Sequence, residues 1–444
     1  MPVGIYISVP FCRSKCSYCN FASDVVSLRQ ENGLGGRKSV AAVYDRYAER
    51  LCADLDGARK LAAQMGGEFE SQVDSIYVGG GTPTLFEAEQ LARIFHALRR
   101  NFDIQPNSEI TVECAPGSLS PAVVEGLVRG GVNRVSLGVQ SFVDEEARAV
   151  GRLHTRTAVL ADITRLCSAG LGNLNIDLIA GLPHQTAETW NYSLQETIAA
   201  GASHVSVYLL EIDQDSRLGR EVLAGGTRYH AHFVPDEDLM ADLYLQACET
   251  LAKAGIPQYE ISNFARPGCE SRHNLKYWTR RPYLGFGLDA HSFLPAASGQ
   301  PKDREPNTQR RDAESPRKQG GKLTTTALAG ASGRTEPTSG AKLDAIRFAT
   351  TDSLERYLAG ATCERTPVTR DSAREECFFL GLRLNRGVNL RSIAEQYGLP
   401  ADLQHTISEL EAMRLVECEQ GGEVIRLTAK GRLLANEVFE RFLE

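Results

Sequence analysis

The sequence predicts an α/β protein: a partial (β/α)6 barrel, like an incomplete TIM barrel, followed by a mostly helical, winged-helix-like C-terminal domain. Two observations predict the barrel. Up to about residue 212, six short β-rich runs alternate with stretches whose apolar residues recur at helical spacing, as parallel strands joined by helices require. Several runs also carry polar residues at one parity, where strands covered on both faces would be apolar throughout. Polar groups at matching positions near strand ends belong to a lumen, where such folds place their chemistry. The competing explanation is a polar core network with its hydrogen bonds satisfied.

The first strand is expected at 4–9, before a helix in which Val43, Tyr47, Leu51 and Leu55 lie four residues apart. The second, 75–78, precedes a helix marked by Leu91, Ile94, Phe95 and Leu98. The third, 109–114, carries Thr111 and Glu113 at one parity and leads into Val123, Val124, Leu127 and Val128. Strand 134–139 ends at Gln140, strand 173–179 carries Asn175 and Asp177 at one parity, and the sixth spans 204–211. Residues 1–215 are thus the barrel core, and 216–295 extend it. Residues 296–341, rich in Gly, Pro, Ser, Thr, Lys and Arg, read as a disordered insertion, and 342–371 as a connector. Residues 25–40 look like a smaller flexible loop. The last domain, 372–444, pairs helices near 390–397 and 402–414 with a hairpin turning at Gly421-Gly422 and a final helix from Lys430. Its would-be reading helix carries Glu409 and Glu411 against Arg414, which disfavours docking on phosphates; it reads as a packing or lid domain.

Composition narrows the function classes. The 444 residues hold 49 Lys and Arg against 56 Asp and Glu, a net charge of −7. No broad basic field exists for nucleic acid, so none is expected as a partner. No apolar run approaches the roughly 18 residues of a spanning helix. The N-terminus lacks the features of a signal or transit peptide, so a soluble, cytoplasmic protein is expected. Eight of the eleven cysteines are scattered singly, unlike a secreted disulfide framework.

The other three, Cys12, Cys16 and Cys19, follow the first strand at C-x3-C-x2-C spacing. Three thiolates close together can bind three irons of a [4Fe-4S] cube and leave the fourth open to a ligand. Zinc would want a fourth ligand nearby, and no further Cys or His precedes Cys52, so that alternative needs a distant residue. The second strand runs into Gly79-Gly80-Gly81-Thr82-Pro83-Thr84, where glycines let backbone approach a ligand; a tight turn explains them equally. The run is neither a dinucleotide signature nor a P-loop.

These elements resemble the radical S-adenosylmethionine superfamily. The resemblance narrows to the oxygen-independent coproporphyrinogen oxidase and heme chaperone family through residues 79–84, Glu113-Cys114-Ala115-Pro116-Gly117, 134–142, Gly151-Arg152-Leu153-His154 and 175–183. It is strong to about residue 295 and looser beyond. The resemblance implies that Cys12, Cys16 and Cys19 hold a [4Fe-4S] cluster whose fourth iron chelates S-adenosylmethionine, with Tyr6, Gly80 and Glu113 lining that cofactor. Tyr18, Gly81, Thr82, Gln140, Arg152 and Asp177 correspond to positions around a second S-adenosylmethionine in the oxidase.

Phe21 stands where the oxidase carries another cysteine, and the chain starts only eleven residues before Cys12, without the long arm of the oxidase. The segment His273-Asn274-Leu275-Lys276-Tyr277-Trp278 is similar to the H-N-x-x-Y-W element of the heme chaperone branch. It suggests heme, with His273 as iron ligand, Tyr277 and Trp278 over the macrocycle, and Arg266, Arg272 or Lys276 at the propionates. His230 and His232 form another metal pair on paper, read here as solvated loop. The expected activity is heme chaperoning: binding heme or porphyrin and transferring it to an acceptor protein, with an electron donor for the cluster and peripheral membrane contact only through the acceptor. The competing expectation is coproporphyrinogen oxidation through cleavage of S-adenosylmethionine.

Overall fold

The computed structural model describes residues 1–25, 40–298 and 343–443. Its strands begin with β1 (Val3–Val9), the short pair β2 (Phe11–Cys12) and β3 (Asp24–Val25), then β4 (Gln72–Gly80), β5 (Asp103–Cys114), β6 (Arg134–Gln140), β7 (Leu174–Ala180) and β8 (His204–Leu209). Neighbours β1, β4, β5, β6, β7 and β8 pair in parallel, which is the partial barrel that the sequence predicts. Helices α1 (Val40–Asp56), α2 (Ala58–Met65), α3 (Ala88–Asn101), α4 (Pro121–Arg129), α5 (Asp144–Ala149), α6 (Arg156–Ser168) and α7 (Ala187–Ala199) connect them, and α8 (Arg217–Leu223) and α9 (Glu237–Lys253) follow. Ile5, Ile7, Ile76, Val112, Leu137, Ile176 and Val205 join buried helix residues such as Leu51, Leu98 and Leu127 in one core. Val128 departs from that pattern: it is 44% exposed.

The opposite parity is polar, and the register aligns it. Tyr6 lies beside Tyr77 and Tyr77 beside Thr111; Glu113 pairs with Ser136 and Ser136 with Asn175; Gly138 pairs with Asp177 and Asp177 with Ser206. Asn175 illustrates the satisfied network: its amide donates to Ser136, Asp177 and Ser206 at 2.8, 2.7 and 3.1 Å, while its oxygen lies 2.6 Å from His204 Nδ1.

Six further strands flank the barrel without a clear sequence signal: β9 (Gln258–Glu260), β10 (Asn263–Ala265), β11 (Tyr283–Phe286), β12 (His291–Pro295), β13 (Leu343–Ala349) and β14 (Glu364–Thr369). β11 pairs in parallel with β1, and β12, β13 and β14 follow antiparallel; β10 and β9 extend the β8 side. The expected insertion at 296–341 falls outside the described residues except for 296–298, as does the loop at 25–40 except for its two ends.

The C-terminal region is built as its spacing suggests. Helices Leu390–Tyr397 and Leu403–Ala412 precede strands β16 (Val416–Glu419) and β17 (Val424–Leu427), which β15 (Val388–Asn389) completes into a three-stranded sheet. Gly421 and Gly422 turn the hairpin at φ +69° and +94°, a conformation that glycine adopts freely. The region has its own core around Phe378, Ile407, Ile425 and Phe439. A nearly buried ion cluster joins it to the sheet: Arg280 meets Glu376 at 2.7 Å and Asp344 at 2.9 Å, and Arg347 pairs with the same Glu376.

Candidate functional site

The loop carrying the three cysteines starts where Phe11, fully buried, packs 4.6 Å from Tyr44 and 5.1 Å from Tyr47. Beyond that anchor the backbone is held from outside. Ser17 N donates to Val150 O at 3.0 Å, Leu218 N donates to Ser17 O at 2.8 Å, and Arg217 donates to Lys15 O. Ser14 Oγ donates to Gly151 O and Arg13 to Gly117 O. Cys12, Cys16 and Cys19 are free thiols on one cavity wall. Burial pushes the Cys12 and Cys19 thiols up, with the neighbouring cysteines adding to the rise. Among the described residues no three His, Cys, Asp or Glu side chains converge as one metal ion requires.

The glycines at the end of β4 serve two contacts. A Cβ on Gly81 would stand 2.6 Å from Phe11 O, and one on Gly79 would meet the Glu113 carboxyl at 2.8 Å. Gly80, at φ +104°, donates its N–H to Glu113 Oε2 at 3.1 Å, and Tyr77 OH donates to Oε1 at 2.8 Å. Burial first and Asp177 second raise the Glu113 carboxyl, against the lowering effect of these donors, to about 7. Thr82 Oγ1 donates to Cys12 Sγ at 3.9 Å.

Tyr6, Tyr18, Gly80, Gly81, Thr82, Glu113, Gln140, Arg152 and Asp177 all line the same cavity of about 1130 Å³ as the cysteines. Gln140 adopts φ +70°, uncommon for a non-glycine residue, and its buried Oε1 has no hydrogen-bond partner among the described residues. Arg152 Nη1 lies 3.6 Å from Cys16 Sγ and its Nη2 donates to Gly138 O, while Nε is buried without a partner. Burial raises the Asp177 carboxyl, although Ser206, Asn175 and Ser136 hydrogen-bond to it. His154 is held neutral, pushed down to about 4 by burial and by Arg152.

The segment at 273–278 forms α10 (Arg272–Trp278), a plug in the barrel. Glu109 accepts from the N–H groups of Arg272 and His273 at 3.0 and 3.1 Å. Asn274, Tyr277 and Trp278 reach the cavity wall. His273 does not: it is fully buried, with Nδ1 3.1 Å from Ser75 Oγ and Nε2 2.9 Å from Tyr277 OH. Burial and then Lys276 push it down to about 3, so it is a neutral core imidazole with both nitrogens taken. The imidazole expected as an iron ligand thus faces Ser75 and Tyr277 rather than the cavity. Lys276 is likewise unavailable to a propionate, since its ammonium pairs with Asp74 at 2.7 Å and donates to Pro2 O at 2.9 Å. Arg272 donates to Asn107 O.

Sequence reasoning missed several cavity residues. Tyr77 shares the parity of Gly79 and could have been found that way. Tyr208, Glu260, Asn263 and Arg383 also line the cavity, and nothing in their local sequence announces it. Arg383 lies 4.4 Å over the Trp278 ring. Nor did sequence bring His184 beside His230, whose ring nitrogens approach to 3.0 Å.

The radical SAM superfamily model matches residues 6–196, and the HemN C-terminal domain model matches 368–434. The fold is similar to coproporphyrinogen III oxidase (HemN) from Escherichia coli, with a TM-score of 0.73 and 22% identity over 100% of this chain and 90% of that one. Fold and family model define the class, a radical SAM protein with a HemN-type C-terminal domain. In sequence, the chain is 30% identical over 449 residues to the heme chaperone HemW of Lactococcus lactis subsp. lactis strain IL1403, covering 100% of this chain and 97% of the relative. It is 32% identical over 298 residues to HemW of Escherichia coli strain K12, covering 67% and 72%. The chain belongs to the HemW family. Among the described residues, no helix is long and apolar enough to cross a membrane.

Proposed function

We propose that the chain is a cytoplasmic heme chaperone that binds heme and transfers it to an acceptor protein, carrying a [4Fe-4S] cluster and S-adenosylmethionine. The observation that carries this reading, beside the full-length relationship to HemW, is the cavity mouth. Phe21, Leu153 and Leu209 line it and are 52%, 71% and 38% exposed. Exposed apolar side chains gathered around one cavity, unlike ones scattered singly, mark a binding surface, and an apolar rim suits a macrocycle that must be handed on.

The residues present fit the two cofactors. Thiolates that address separate corners of a cube need not converge on one point, as zinc would require, and Cys12, Cys16 and Cys19 would hold it. Tyr6, Gly80 and Glu113 would line S-adenosylmethionine, with the Glu113 carboxylate facing its cationic groups. Gln140 and Arg152 offer buried polar atoms without partners, the condition of groups that a ligand completes. When bound, the cluster supplies an electron and an open iron.

The test is anaerobic reconstitution followed by assays on one sample. We expect heme retention, heme transfer to apomyoglobin as a probe acceptor, and no efficient conversion of coproporphyrinogen to protoporphyrinogen. Efficient conversion would overturn the reading in favour of the oxidase. Cys16→Ala should abolish the brown absorbance of the cluster.

A further inference from the structure

Arg13, Lys15, Arg152, Arg383 and Arg432 are the cations among the cavity-lining residues. Four of them donate hydrogen bonds within the protein: Arg13 to Gly117 O, Lys15 to Phe21 O, Arg152 to Gly138 O and Arg432 to Leu427 O. Arg383 donates none among the described residues and pairs with no carboxylate there; its Nε is buried without a partner. Its guanidinium lies 4.4 Å over the Trp278 ring, and the buried Trp278 Nε1 has no acceptor either. Buried N–H groups left without acceptors are rare in folded chains, and buried charges are ordinarily paired. Burial pushes the Arg383 guanidinium down, and the charge of Glu260 offsets this only in part. The backbone holds the arginine in place: Ile261 N donates to Arg383 O at 3.1 Å, Asn385 N donates to Tyr259 O at 3.0 Å, and Leu384 bridges to Glu260, so 383–385 lies along β9.

We infer that Arg383, stacked on Trp278, binds a propionate carboxylate of the porphyrin at the wall where the C-terminal region meets the barrel; the inference rests on the heme-chaperone reading and concerns the acid edge of the macrocycle, not its iron. A guanidinium stacked on an indole keeps its N–H edge free, and that edge matches a carboxylate with two parallel hydrogen bonds. None of Arg266, Arg272 and Lys276, the residues expected at the propionates, lines the cavity. Arg432 brings a second cation from the C-terminal region to the same cavity, and the porphyrin of heme carries two propionates. Phe379, Leu380 and Leu433 give that wall its apolar part. Glu260, with Oε2 buried and unpartnered, lines it too. Burial raises its carboxyl against the pull of Arg383, which favours the protonated form, one that donates to a carboxylate instead of repelling it.

The test is binding of metal-free protoporphyrin IX and of its dimethyl ester to the full-length chain, read by porphyrin fluorescence, so that iron ligation plays no part. The parent should bind the free acid about 10- to 100-fold more tightly than the ester, the range of charge-assisted hydrogen bonds. Arg383→Met keeps the unbranched stem but removes the charge, and it should bind acid and ester alike, at the parent's affinity for the ester. Arg383→Gln, with the same expectation, serves where the methionine variant fails to fold. The amino-acid carboxylate of S-adenosylmethionine offers the same chemistry, so its affinity is measured by calorimetry after anaerobic reconstitution and should be equal in parent and variants. A loss confined to S-adenosylmethionine would overturn the assignment to porphyrin. A parent that takes up neither heme nor porphyrin overturns the chaperone reading together with this site. A parent that binds acid and ester alike, or an Arg383→Met that keeps the full preference, overturns the site alone.

Discussion

Replacing Gly81 by alanine tests whether the glycine run exists to let the cysteine loop lie against the end of β4. The new Cβ would stand 2.6 Å from the Phe11 carbonyl oxygen, 2.8 Å from the Pro10 carbonyl carbon and 2.9 Å from the Phe11 nitrogen, where comfortable contacts run about 3.5–4.0 Å. All three neighbours are backbone. Gly81 N and Thr82 N are also bonded to Val9 O and Phe11 O at 2.8 and 2.7 Å, so no side chain can swing aside. Overpacking of this kind costs about 1–3 kcal/mol, and its relief moves Phe11 and therefore Cys12. We expect a lower melting temperature and, after anaerobic reconstitution, less iron and sulfide per chain than the parent holds. Gly117→Ala is the control. Its φ is +82°, but its Cβ meets nothing within 4 Å, so it should lose only the left-handed penalty of about 1–2 kcal/mol and keep the cluster. Full cluster content and an unchanged melting temperature in Gly81→Ala would refute the reasoning, as would equal cluster loss in both variants.

Glu113 keeps its proton to about pH 7 in the folded chain, against 4.5 for an ordinary glutamate. Its contribution to stability is therefore full below pH 4.5 and lost as pH rises to about 7; over that same rise it gains the charge that a cationic ligand needs. Calorimetry should show S-adenosylmethionine binding strengthen through neutral pH in the parent and stay flat in Glu113→Gln; a flat parent would remove Glu113 from the site. Lys276→Ala leaves Asp74 without its buried partner and should destabilise by about 3–5 kcal/mol in denaturant unfolding, whereas lost heme affinity at unchanged stability would restore a propionate role. His273→Ala strands the Ser75 and Tyr277 hydroxyls, about 1–3 kcal/mol for each buried group left unsatisfied. It should lower the unfolding midpoint while heme affinity holds, and the reverse pattern would return His273 to the iron.

The parallel core was legible because period and parity act locally. Val43, Tyr47, Leu51 and Leu55 mark one helix face, and Glu113 and Asp177 sit at one parity beside apolar neighbours, so both the strands and their polar side could be read before any packing was known. The flanking strands were not legible: β9 and β10 are three residues each, too short to show a period. The surroundings of His273 were not legible, because its spacing to Tyr277 describes a helix face equally well whether that face meets a ligand or Ser75 across the barrel. The pairing of His184 with His230 joins residues 46 positions apart, through two left-handed turns that no propensity rule foretells.

The joint between β12 and β13 has a wider consequence. Pro295 lies in register with Ala345, and Ala296 N donates to Asp344 O at 3.1 Å, so the chain leaves the sheet and re-enters it at neighbouring points. Because closing a loop grows dearer only with the logarithm of its length, a hem of this sort tolerates patches of almost any size. Relatives can therefore differ in total length at this spot while sharing one unaltered cloth of strands.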